Sequence, residues 1–240
     1  MKFVILRKAD RHTEAGPAID ETLPVDASLP HAALQPSAQG VRLHFGPDGP
    51  RVVPGPFEHT EELVAGFGYL EAESLSAATD RLGRWTPAAV APPVLEVRES
   101  GCPGGLPGIH SPPAGQGTDP RFMVMLMSDA QLEADEPPEP KRLDAMARRN
   151  AQSVAGGVLV AGDGLKSTAK GARVAFAAGR PRVVDGPFAE AKELIAGFWV
   201  IRAPTMAEAI EWASRYPYAP AHPVVEIRPV RETARQALGA

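Results

Sequence analysis

Cysteine occurs once in these 240 residues, at Cys102, so no intramolecular disulfide framework can staple the chain, and a reducing cytoplasm is the expected location. That thiol sits in a Gly/Pro-rich stretch with no positioned base or helix terminus, and it reads as a bystander rather than a nucleophile. Excess positive charge is missing too: 25 Lys and Arg against 29 Asp and Glu leave a formal charge of −4. Nothing resembles a basic stripe that would neutralise phosphates, so nucleic acid is not an expected partner. Long apolar runs are equally scarce. The opening MKFVILRKAD has four apolar residues before charge resumes, too few for a signal segment or a membrane span, so no membrane partner is expected. There is no P-loop, dinucleotide fingerprint, zinc-ligand spacing or nucleophile elbow, and neither a metal nor another cofactor is expected.

What is present is a repetition. RVVPGPFEHTEELVAGFGYLEA (residues 51–72) returns as RVVDGPFAEAKELIAGFWVIRA (residues 182–203), at an offset of 182 − 51 = 131 and with 12 of 22 residues identical. The register extends back through LQPSAQGVRLHF and LKSTAKGARVAF and forward, after a one-residue gap, through VLEVR and VVEIR; KFVIL near the start resembles FMVML. These matches predict two copies, residues 1–98 and 121–231, each long enough to bury its own core. Between them, residues 99–120 are too rich in Gly and Pro for a helix or a central strand and read as a linker.

The second copy is the better formed. Phe122 to Met127 is a strand-length apolar run. Pro140 to Ala155 has Pro at its start, Leu143, Met146, Ala147 and Val154 on one face and Gly156-Gly157 behind it, which predicts a helix. Strand-like segments follow at 158–161, 173–177, 182–184 and 194–202. Thr205 with Glu208 forms a capping box opening a helix to about Tyr216, and Val224 to Arg228 closes the copy as a strand. Strand, helix, strands, helix, strand is the split βαβ order of a ferredoxin-like α+β domain, with an added hairpin leading to Asp185–Phe188. Such a sheet has one apolar face in need of cover. The expected solution is that the two copies pair sheet to sheet as an intramolecular dimeric α+β barrel. The first copy is degenerate, because Pro17, Pro24 and Pro30 break the stretch from His12 to Ala33 where its first helix would lie.

The run DGPFAEAKELIAGFWVI (residues 185–201), with GDGLKSTAKGARV before it and AIEWASRYP after it, resembles the YCII-related family and its DGPF-motif branch; the first copy carries PGPF instead. The resemblance implies ferredoxin-like domains paired into α+β barrels. It also implies lyase-like or dehalogenating activity on small aromatic or lactone-like substrates in a few relatives, and an association with sigma factors for many. In one branch it implies a His at the start of the first helix paired with an Asp. Here that helix start reads PPEPKRLDAM and has no His.

Asp185 is the leading candidate for chemistry. A loop carboxylate beside apolar and aromatic residues can act as a general base. The plainer alternative is that it caps the Phe188 amide within an Asp-Gly-Pro turn. His222, ahead of the last strand, is the candidate acid/base partner. Arg182, Phe188, Glu190 and Lys192 are candidate ligand contacts, Arg182 together with Arg51 as an anion holder or a partner for an internal carboxylate. Glu193 and the matching His59, Glu61 and Glu62 read as solvated charge, and Phe198, Trp199 and Trp212 as core. Two functions compete. One is a small-molecule site with cofactor-independent lyase or isomerase chemistry at the second copy. The other is a non-catalytic binding or regulatory module linked to sigma-factor-dependent transcription, with homo-oligomerisation compatible with either.

Overall fold

The structure, a computed structural model, describes residues 1–16, 23–87, 93–102, 106, 118–177, 180–188 and 191–231. Strand β1 (Lys2–Lys8) leads through a single helical turn, α1 (Arg11–Glu14), to the short β2 (Ala32–Ala33), the hairpin β3 (Val41–Gly46) and β4 (Gly49–Pro54), β5 (Val64–Glu71), helix α2 (Leu75–Gly83) and β6 (Val94–Glu99). The second half runs β7 (Arg121–Met127), α3 (Ala130–Glu133), α4 (Pro140–Ala155), β8 (Leu159–Gly164), the hairpin β9 (Gly171–Ala177) and β10 (Arg180–Asp185), β11 (Ile195–Arg202), α5 (Met206–Ser214) and β12 (Val224–Pro229). Among the described residues of His12 to Ala33, the only helix is the turn completed at Glu14. Most of the predicted linker and Glu190 lie outside the described residues.

The fold is α+β, with two antiparallel six-stranded sheets ordered β10-β9-β6-β1-β5-β2 and β4-β3-β12-β7-β11-β8. Each sheet therefore draws a hairpin from the other half of the chain. Hairpin β9–β10 pairs with β6 through Val94↔Ala175 to Arg98↔Gly171, while β3–β4 pairs with β12 through Val224↔His44 to Ile227↔Val41. A cut at residue 98 divides the repeats but not the sheets.

Both faces of the central strands are buried, which is why they read as unbroken apolar runs. On β1, Val4 and Leu6 join Phe67, Tyr69, Met123, Met125, Phe198 and Val200 in the core between the sheets. The alternate residues Phe3 and Ile5 pack outward with Ala78, Leu82, Leu95 and Val97. In the second sheet Val124, Leu126 and Trp199 face α5, whose Trp212 lies among them with Tyr216 just beyond the helix. Asn150 of α4 accepts hydrogen bonds from Trp199 Nε1 at 3.2 Å and from the Tyr216 hydroxyl at 2.9 Å, so the polar ends of these core aromatics are satisfied.

The register corrects one alignment. Phe3 lies opposite Leu70 and Glu99, and Phe122 lies opposite Ile201 and Pro229, so KFVIL and FMVML are offset by one residue from true correspondence. Because strand side chains alternate, the slip would have exchanged the two faces. The structural counterpart of Lys8, paired with Val64, is Met127, paired with Ile195.

Candidate functional site

Asp185 ends β10 opposite Ala172. The next residue, Gly186, donates its N–H to Gly171 O at 3.0 Å, and a Cβ built on it would lie 1.8 Å from the Thr168 carbonyl oxygen. Only glycine fits that approach. The Phe188 N–H then reaches Thr168 Oγ1 at 3.4 Å, and that hydroxyl donates to Glu133 Oε2 at 2.6 Å. The first half repeats the device. A Cβ on Gly55 would lie 1.9 Å from Ser37 O, Phe57 N–H reaches Ser37 Oγ at 3.3 Å, and Ser37 Oγ donates to Glu14 Oε2 at 2.5 Å. The turn is thus closed by a hydroxyl from the preceding 3-10 turn. Asp185 does not cap Phe188, and the PGPF loop closes without a carboxylate because none is needed.

The phenylalanine ring after each Gly-Pro carries an arginine. Arg173 of β9 stacks on Phe188 at 4.4 Å, and Arg42 of β3 stacks on Phe57 at 4.2 Å. Arg173 is clamped between two first-half carboxylates, with Nη2 at 2.7 Å from Glu62 and 2.9 Å from Glu96. Arg42 is clamped between two second-half carboxylates, at 2.5 Å from Glu193 and 2.7 Å from Glu226. Behind the carboxylates lie Arg98, paired with Glu96 and Glu133, and Arg228, paired with Glu226 and Glu14. Each cluster joins residues of both halves and anchors an exchanged hairpin.

The clusters differ in their further cations: Arg231 faces Arg228 and Glu14 of the Arg42 cluster, and Lys8 joins the Arg173 cluster. Lys8 is 3 % exposed, with Nζ 3.8 Å from Glu96 and 4.0 Å from Glu62; in the other cluster its place is taken by Met127. Burial pushes the Lys8 amine below its usual value, opposed chiefly by Glu96. Burial would raise Glu96, yet Lys8, followed by Arg98 and Arg173, holds it below the usual carboxylate value. Glu193 goes the other way: desolvation raises it, with Glu226 adding to the rise and Arg42 and His59 opposing it.

Beside the Arg173 cluster opens a cleft of about 720 Å³. Both halves line it: His59, Glu61, Glu62 and Val94 from the first, and Arg173, Ala175, Val184, Asp185, Pro187, Phe188, Ala191 and Lys192 from the second. Asp185 is exposed here. His59, at φ 53 and ψ 50, heads the 3-10 turn Thr60–Glu62 in a left-handed conformation that costs a non-glycine residue about 1 kcal/mol or more.

Of the residues expected from sequence, Asp185, Phe188 and Lys192 come together in this cleft. Arg182 is exposed on β10 opposite Ala175 and is not in the lining. His222 is exposed ahead of β12, in the other sheet from Asp185, and it does not line the cleft. The histidine that does is His59. Local sequence gives no sign of this, because His59 lies 126 residues from Asp185 (185 − 59) and hairpin exchange brings the two loops to one cleft. Cys102 is partly buried, and burial raises its thiol. Among the described residues, no group of three His, Cys, Asp or Glu side chains is placed to hold a metal ion, and no helix is long and apolar enough to cross a membrane.

Residues 122–234 match the model of the YCII-related domain. No curated protein matches the chain.

Proposed function

We propose that the whole chain is a YCII-related protein built by tandem duplication, residues 1–98 and 121–231 joined by 99–120, in which two ferredoxin-like units form an intramolecular counterpart of a dimeric α+β barrel. The cleft between His59 and Asp185 binds a small organic molecule. Asp185 is its general base and His59 its proton donor, in cofactor-independent isomerase- or lyase-type chemistry. Lys192 and the apolar wall of Val94, Ala175 and Val184 orient the ligand.

The observation that carries this reading is the freedom of Asp185. The turn that could have employed its carboxylate is closed by Thr168 instead, and the residue lines a composite cleft that a histidine also lines. A base must reach its substrate proton directly or through one water, and a carboxylate engaged in no turn is free to do so. The first half has Pro54 at this position and cannot supply the group.

The test uses α-angelica lactone, an unsaturated lactone whose ring C–H exchanges by proton transfer, followed by proton NMR in D₂O. Wild-type protein is expected to accelerate exchange, Asp185→Asn to lose about 10²-fold or more of that acceleration, and His59→Gln to lose part of it. Undiminished exchange by Asp185→Asn removes Asp185 from the mechanism. A second reading, a non-catalytic module in sigma-factor-dependent transcription, is favoured by the absence of His from the start of α4. Co-purification of a sigma factor with a protein that accelerates no exchange would support it.

A further inference from the structure

The two arginine clusters match at five positions. Arg173 corresponds to Arg42, Glu62 to Glu193, Glu96 to Glu226, Arg98 to Arg228 and Glu133 to Glu14, each held by equivalent contacts. Lys8 corresponds to Met127 by strand register. A methionine evidently suffices to build this part of the fold, so the buried amine is not required by packing. Its cost is real, because a buried ammonium loses its hydration, and at 3.8 and 4.0 Å from its carboxylates it gains only attraction without a direct hydrogen bond.

The charges explain what it does. The cluster beneath the Asp185 cleft holds three cations, Lys8, Arg98 and Arg173, against three carboxylates, Glu62, Glu96 and Glu133. Its twin holds Arg42 and Arg228 against Glu14, Glu193 and Glu226, with Arg231 facing Arg228 and Glu14 at its far end and His59 near Glu193. The pair Glu193 and Glu226 itself has one cation fewer beside it than the pair Glu62 and Glu96, and a buried carboxylate short of countercharge is relieved by taking up a proton.

We infer that Lys8 is the positioning residue of the Asp185 cleft: it balances the cluster so that Glu62 and Glu96 keep Arg173 clamped and Arg173 keeps the Phe188 ring in place beside Asp185. The chain of contact is Lys8 to Glu96 and Glu62, these to Arg173, Arg173 to Phe188, and Phe188 to the loop that bears the base. Met127 offers no such support, and Glu193 is the group raised in the twin cluster. The inference rests on the cleft reading above, but its physical core can be measured without any ligand.

Two substitutions exchange the asymmetry, Lys8→Met and Met127→Lys, read by carbon-13 NMR titration of the glutamate carboxyls in the full-length protein. In Lys8→Met the Glu96 titration is expected to move up by about one pH unit or more. In Met127→Lys the Glu193 titration is expected to move down, and Lys8→Arg is expected to keep Glu96 where it is. The same variants are assayed for α-angelica lactone exchange. Lys8→Met is expected to move the acid limb of the pH profile to higher pH while keeping the plateau above it, and Lys8→Arg to restore the wild-type limb. If Glu96 and Glu193 titrate unchanged in the exchanged variants, Lys8 is not the balancing charge and the inference falls. If the carboxyls move but the acid limb does not, Lys8 tunes the cluster without positioning the site, and the inference also falls. If wild-type protein exchanges no lactone proton, the proposed chemistry fails, while the titrations still decide the charge-balancing role.

Discussion

Arg173 and Arg42 hold the two exchanged hairpins by the same means and in different company. Each stacks on the phenylalanine of a Gly-Pro-Phe turn and grips two carboxylates from the opposite half. Only Arg173 has Lys8 behind it and only its turn begins with Asp185, beside a cleft that His59 also lines. The shared parts are therefore those that fasten each hairpin to the other half's sheet, and Lys8 and Asp185 are unshared parts that stand on the same side. Where two halves correspond in this way, a feature present in both is explained by assembly, and one present in a single half needs another reason.

The comparison is broken most severely at the glycines. Gly186→Ala and Gly55→Ala would each drive a Cβ into a backbone carbonyl, at 1.8 and 1.9 Å, and neither carbonyl can move without shifting its 3-10 turn. Both variants are expected to lose more than about 3 kcal/mol in chemical denaturation. A large loss at one glycine alone would mean that the turns are not equivalent.

The arginines come next, and here the halves should differ. Arg42→Met leaves Glu193 and Glu226 facing each other, which at pH 8 is expected to cost about 3–5 kcal/mol. Arg173→Met is expected to cost less, because Lys8 remains beside Glu62 and Glu96. Glu193 has a folded value raised above the ordinary 4.5, so the folded state takes up its proton first and gains stability as pH falls through that raised value towards 4.5. The excess cost of Arg42→Met should therefore shrink in acid. Glu96 has the opposite sign: its folded value lies below 4.5, so its contribution is complete above 4.5 and disappears as pH falls through the lowered value. Denaturation midpoints of both variants between pH 4 and 8 check this.

Thr168→Val is a milder test. It removes the oxygen that accepts from Phe188 and donates to Glu133, and is expected to cost about 1–2 kcal/mol. The smallest effect on stability should come from Asp185→Ala, which breaks no bond of the turn; its melting temperature is expected within about 2 °C of wild type. A larger drop would return Asp185 to a structural role.

Much of this architecture was legible in the chain. Pro140 and Gly156 bracket α4 as predicted, and the apolar runs became the strands buried on both faces. The hairpin exchange was not legible. Strands β6 and β12 are near copies, VLEVRE and VVEIRP, and offer a hairpin nearly the same local pairing, so which edge each hairpin joins depends on the packing of the whole chain. The one-residue offset of β1 against β7 escaped for a related reason: an unbroken apolar run has no polar alternation to mark its register. Nothing local to Lys8 indicates that two glutamates will close over it.

The sequence by itself determined the repeated unit, its helices and strands, the Gly-Pro-Phe turns and the place where Asp185 had to stand. These follow from periodicity, capping and the steric demands of glycine and proline, which act over a few residues. Only the tertiary structure decided that Thr168 rather than Asp185 closes the turn, that His59 rather than His222 shares its cleft, and that Lys8 lies under one arginine clamp and Met127 under the other. Those outcomes depend on which residues distant in the chain are brought within a few ångströms and removed from water, where burial and Coulombic attraction outweigh local preference.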